Sequence, residues 1–308
     1  MRWDNFRRSS NVEEGASGGS GGPSGGFRLG GGRLGIGAIV IIFLISWGLG
    51  IDPRVMLDAL LNGGGGSQTY DDQGGSGQSP SGQSASLSNY PNADFVAAVL
   101  GDTEDRWTEI LGERNVAYTA PKLVLFSGST RSACGRAESA MGPFYCPNDE
   151  RIYLDTEFFD EIQNQLGGCP AGSKTCEFSQ AYVIAHEVGH HVQDVLGILP
   201  KAEQAEQNAS ESQANAIQVR VELQADCFAG MWANRSQAKL KFLEDGDVAA
   251  ALQTASAIGD DTLQKRGQGY AVPDSFTHGT SDQRVRWFTR GLKSGQLSAC
   301  DTFSASQL

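Results

Sequence analysis

Eighteen consecutive residues without a charge, LGIGAIVIIFLISWGLGI (34–51), stand between two glycine-rich tracts, and this arrangement confines where a compact fold can lie. The flanking tracts, GASGGSGGPSGGFRLGGGR (15–33) and NGGGGSQTYDDQGGSGQSPSGQSASLSN (62–89), take up much of the chain's 40 glycines. Both are nearly free of large apolar side chains, so neither can bury enough surface to offset the entropy of ordering. They read as linkers. The expected organisation is a basic, glycine-rich N-terminal segment (1–33), a transmembrane helix (34–51), a flexible linker (52–89) and a folded domain (90–308). The apolar stretch spans roughly 27 Å as a helix, near the minimum for one bilayer crossing. The domain has about 220 residues, enough for a substantial core.

Basic residues suggest an orientation. Arg2, Arg7, Arg8, Arg28 and Arg33 precede the apolar stretch, whereas Arg54 alone lies close after it. The positive-inside rule then predicts a single-pass protein with a cytoplasmic N-terminus and an extracytoplasmic domain at the cell membrane. Cysteine usage agrees, because all six cysteines follow the stretch. An even count in an exported domain points to disulfides. Proximity favours Cys134–Cys146 and Cys169–Cys176, which leaves Cys227–Cys300. With 36 acidic against 24 basic residues and no basic stripe, the chain is unsuited to nucleic acid.

Within the domain, apolar spacing over 92–114 predicts two short helices broken at Gly101-Asp102. KLVLF (122–126) and RIYLD (151–155) read as strands. Helical periodicity recurs over 177–197, ending at Gly197, and over 209–235, with a third helix across 246–266. Thr280 and Gln283 have capping-box spacing and predict a fourth helix just after His278. The fold class expected is α+β, mostly helical with a small sheet.

The chain has four histidines, three of them inside AHEVGHHVQD (185–194). His186-Glu187-Val188-Gly189-His190 is an H-E-x-x-H, which on a helix places two imidazoles one turn apart on one face, able to share a cation. Glu187 is offset from that row and suited to take a proton from a metal-bound water. His191 points away and reads as a packing residue. Two histidines leave tetrahedral zinc short of a protein ligand. VELQADCFAG (221–230) offers Glu222, with Asp226 one turn further along to hold the far nitrogen of the first histidine. This E-x-x-x-D arrangement is that of the gluzincin metallopeptidases. His278, in FTHGTSDQRVRWF, is placed to stabilise an oxyanion, and Arg284 to assist it or to give structural support.

Together with MRWDNFRRSSNVE, HEVGHHVQ, ELQADCFAG, HGTSDQRVRWF and GQLSACDTF, the chain resembles the bacterial putative neutral zinc metallopeptidases of the YpfJ type. The resemblance implies a membrane-anchored, zincin-like peptidase with His186, His190 and Glu222 as zinc ligands and Glu187 as base. The ELQAD and THG blocks are also similar to those of membrane-associated heat-shock and CAAX-processing gluzincins, from which this chain departs by placing Gly279 where they carry proline. The function expected is a zinc-dependent endopeptidase acting on protein or peptide substrates, bound along an edge strand at Arg151–Asp155. The alternative is a zinc-containing but catalytically silent binding or regulatory module, its cleft plugged by a loop at 198–213.

Overall fold

The computed structural model describes residues 1–15, 87, 90–139, 142–164 and 175–308. The apolar stretch 34–51 and Cys169 lie outside the described residues. Among the described residues no helix is long and apolar enough to cross a membrane.

Among the described residues fourteen strands and α-helices follow in chain order: β1 (Val12–Glu14), α1 (Ala93–Gly112), β2 (Lys122–Phe126), β3 (Ser129–Ser132), β4 (Gly135–Glu138), β5 (Phe144–Cys146), β6 (Arg151–Asp155), α2 (Glu157–Asn164), α3 (Thr175–Val195), α4 (Ile198–Glu206), α5 (Glu211–Leu240), α6 (Asp247–Ala257), α7 (Asp260–Gln268) and α8 (Ser281–Ser294). The result is mostly helical with a small sheet, as the sequence pattern predicts. The sheet runs β1-β2-β6-β5, with β1, β2 and β6 parallel and β5 antiparallel, and β3 pairs with β4 in a separate hairpin.

Helix α3 is the centre of the molecule. Its buried residues run from Cys176 to Gln193, around the whole circumference for most of its length. It packs against α5, α6, α1 and β5. Helix α5 is buried likewise from Val221 to Ala233, and α8 lies along it. Phe178 sits face to face with Trp232 at 6.3 Å, and Trp107 of α1 meets Phe228 edge-on at 5.3 Å, so large aromatic side chains weld the helices together.

Several local expectations need correction. Residues 93–112 form one continuous helix, because Gly101 is buried beside a neighbouring segment and does not end the helix. Residues 246–266 form two helices that part at Gly259, whose extended backbone lies against Ser281 at the start of α8. Residues 198–206 form helix α4, packed on α3 and α5, where the sequence reading has a loop. Strand Arg151–Asp155 is not an edge: it lies between β2 and β5, and β5 is the edge strand on that side. Finally, the sequence sets residues 1–33 apart from the domain, whereas the first fifteen are built into it through β1.

Cys134 is bonded to Cys146, tying β5 to the β3–β4 hairpin, and Cys227 to Cys300, tying α5 to the C-terminal turn. Cys176 is also disulfide-bonded.

Candidate metal centre

Helices α3 and α5 cross at Gly189. A Cβ there would lie 3.1 Å from the Ala225 backbone, so glycine lets the two helices close up. That crossing carries Glu222 and Asp226 to the histidines on α3. Atoms of His186, His190 and Glu222 that could each hold a metal all lie within 4.8 Å of one another. His186 Nε2 is 3.2 Å from His190 Nε2 and 3.2 Å from Glu222 Oε2, and His190 Nε2 is 3.6 Å from Glu222 Oε1. Ligands at about 2.05 Å from a tetrahedral zinc stand about 3.3 Å apart, so the spacing fits that ion.

The proton inventory also fits. Asp226 Oδ1 accepts from His186 Nδ1 at 2.9 Å, and Gln193 Oε1 accepts from His190 Nδ1 at 2.9 Å. Both Nε2 atoms are therefore turned toward the Glu222 carboxylate. Burial opposes charge on His186, but Asp226 and Glu222 outweigh it and lift that imidazole to about 10. Burial lowers His190 to about 4, so it stays neutral. One proton can join only one pair of these atoms, whereas a divalent metal satisfies all three at once.

Two different supports hold the histidines. Behind His186, Asp226 is fully buried and accepts from Arg284 Nε and Nη2, each at 2.9 Å, and from the Tyr182 hydroxyl at 2.5 Å. Burial opposes the Asp226 charge, yet Arg284 and His186 hold its carboxyl down at about 2. Arg284, 3% exposed, thus serves as the counter-ion of Asp226. Behind His190, Gln193 Nε2 donates to the Val221 carbonyl at 2.8 Å and to Gln224 Oε1 at 3.0 Å. Gln224 in turn donates to the Cys300 carbonyl at 2.9 Å.

Glu187 lies next to this cluster. Burial raises its carboxyl to about 7, although His186 and a hydrogen bond from the Tyr145 backbone pull the other way. Tyr145 is the middle residue of β5, the outermost strand on that side of the sheet among the described residues, so the candidate base sits beside that strand. His191 Nε2 donates to the Thr119 carbonyl at 2.7 Å, away from the cluster.

His278 is held from behind by Asp260: Oδ1 lies 3.2 Å from His278 Nδ1, and Oδ2 accepts from the backbone N–H groups of Thr277, His278 and Gly279. Burial lowers the His278 pKa, but Asp260 and Glu222 more than offset this and raise it overall. Gly279 has φ of 86°, which proline cannot adopt, so this loop takes a path of its own. The capping box of α8 is present: Thr280 accepts from Gln283 N–H at 3.2 Å, and Gln283 Oε1 accepts from Thr280 N–H at 2.8 Å.

Five site residues escape the sequence reading: Tyr182, Gln193, Gln224, Tyr145 and Asp260. Gln193 alone had a signal, three positions after His190 on the same helix face.

The family match decides what kind of protein carries this arrangement. Residues 1–303 match the family described as "Putative neutral zinc metallopeptidase". The chain belongs to that family. It is 44% identical over 313 residues to the "Uncharacterized protein YpfJ" of Escherichia coli K12, covering 99% of this chain and all of the relative. It is 41% identical over 222 residues to the "Uncharacterized protein Rv2575" of Mycobacterium tuberculosis H37Rv and "Uncharacterized protein Mb2605" of Mycobacterium bovis, covering 69% of this chain and 71% of each relative. No solved structure matches.

Proposed function

We propose that this family member is a zinc endopeptidase, attached to the membrane through 34–51 and acting on protein or peptide substrates outside the cytoplasm. The observation that carries the reading is the convergence of two imidazole Nε2 atoms and the Glu222 carboxylate, with Glu187 beside them. Zinc held by His186, His190 and Glu222 would supply a Lewis acid for the scissile carbonyl and lower the pKa of water. The Glu187 carboxylate takes the proton released as water attacks and passes it to the leaving amine. His278, oriented by Asp260, donates to the developing oxyanion. Edge strand β5 aligns an extended peptide by main-chain pairing. The disulfides support a domain in an oxidising compartment.

Because residues 1–15 belong to the fold, the test uses the full-length chain in detergent with one equivalent of zinc, beside Glu187→Gln. New N-termini from an unfolded protein are followed by mass spectrometry. Cleavage by the wild type alone supports the reading. Zinc retention by both proteins with cleavage by neither would sink it.

A further inference from the structure

The first fifteen residues are anchored to the domain by a strand pairing, by buried apolar side chains and by ion pairs. Strand β1 pairs in parallel with β2, Val12 opposite Leu123 and Glu14 opposite Leu125, and the Gly15 N–H donates to the Leu125 carbonyl at 2.7 Å. Met1 and Phe6 are each 4% exposed, and Phe6 meets Phe242 edge-on at 5.3 Å. Trp3 packs on Phe95 of α1 at 5.4 Å. The Met1 ammonium lies 3.2 Å from Asp247 of α6.

The polar contacts are equally specific. Glu104 of α1 accepts from the Arg7 guanidinium and the Ser9 hydroxyl, each at 2.5 Å, and from the Asn11 amide at 2.8 Å. Arg8 pairs with Asp94 at 2.7 Å, and Ser9 N–H donates to the Ala97 carbonyl at 2.8 Å. The fit reaches into the domain's own sequence. A Cβ on Gly101 would lie 2.1 Å from the Arg7 carbonyl, so α1 carries glycine where the arm crosses it. The family match also begins at residue 1.

These contacts conflict with a single crossing. An apolar stretch at 34–51 that traversed the bilayer once would put β1 on one face and β2 on the other, and the two strands could not exchange main-chain hydrogen bonds. Three of the five charges behind the cytoplasmic assignment are also engaged: Arg2, Arg7 and Arg8 all bond to residues of the domain. We infer that the N-terminal arm and the domain that begins at residue 90 occupy the same compartment. The inference stands on this packing and is independent of the peptidase reading.

Single-cysteine reporters in the full-length chain test it. Asn5→Cys in the arm and Ser306→Cys near the C-terminus replace exposed residues, and the described native cysteines are disulfide-bonded. Spheroplasts are treated with a membrane-impermeant maleimide before and after lysis. Equal labelling at both positions is expected. If both label before lysis, the shared compartment is outside. If both label only after lysis, the shared compartment stands and the extracytoplasmic placement proposed above falls. Labelling of one position before lysis and the other only after it overturns the inference.

A second pair, Ser10→Cys and Ser304→Cys, repeats the comparison should either first variant fail to accumulate. In addition, Glu13→Cys combined with Lys122→Cys replaces an ion pair between β1 and β2. A short bis-maleimide applied to intact membranes should join these two residues within one chain, shifting its mobility on a denaturing gel relative to each single variant. Absence of that shift in a folded protein also overturns the inference.

Discussion

His186 and His190 stand one helical turn apart and face the same point, yet the structure holds them by unlike means. Behind His186 is a charged network, with Asp226 between the imidazole and Arg284 and no water-exposed atom on the carboxylate. Behind His190 is a chain of neutral amides, Gln193 to Gln224 to the Cys300 carbonyl, next to the Cys227–Cys300 disulfide. Buried charge pairs are costly to break and demanding in geometry, whereas amide hydrogen bonds are weaker individually but leave no uncompensated charge. The first histidine is held by electrostatics and the second by a covalently braced hydrogen-bond chain.

The largest effect should come from leaving both supports intact and removing the proposed base. Glu187→Gln is expected to lower kcat by about 10²–10⁴-fold while zinc binding persists, measured by peptide hydrolysis and metal content. Next, Asp226→Asn should strand the buried Arg284 and destabilise the domain by about 3–5 kcal/mol in urea unfolding. It should also weaken zinc about 10–100-fold in chelator competition. On the other side, Gln193→Leu should cost less, about 1–3 kcal/mol, because only neutral groups lose their partners. If Gln193→Leu proves as damaging as Asp226→Asn, the contrast between the two supports fails.

The smallest effect concerns pH. As the proposed base, Glu187 would work only when ionised, so kcat/KM should rise as pH climbs through about 7, the value to which burial lifts it. If the Nδ1 proton of His278 stays on Asp260, its Nε2 donates only in the imidazolium, so on the proposed mechanism activity should fall as pH passes its raised pKa. Asp260→Asn removes the charge that raises it and should move the alkaline limb to lower pH with the acid limb unmoved. An alkaline limb unchanged in that variant would mean His278 does not set it.

Much of the centre was legible because its signals are local. The i, i+4 spacing of His186 and His190, the spacing of Glu222 and Asp226, and the Thr280–Gln283 cap each follow from one helix's periodicity. Cys134 and Cys146 were legible by proximity. The supports were less so. Asp260 reaches the loop of His278 from the start of α7, eighteen positions back in the chain, and no local pattern marks it. Tyr145 belongs to a three-residue strand, too short for alternation to show. Gly101 has the look of a helix break in the sequence, whereas in the fold it is the one residue type that lets Arg7 pass. The arm itself was hidden for the same reason: a three-residue strand becomes a strand only when β2 supplies its hydrogen-bonding partners.

The sequence by itself determined the kind of chemistry this protein can hold, because residue type and helical period decide which side chains share a face. The tertiary structure decided how close α3 and α5 come at Gly189, which partner stands behind each imidazole, and which described strand lies outermost beside Glu187. It also joined residue 12 to residue 123. Those are contacts between segments distant in the chain, and their geometry comes from packing that no local pattern encodes.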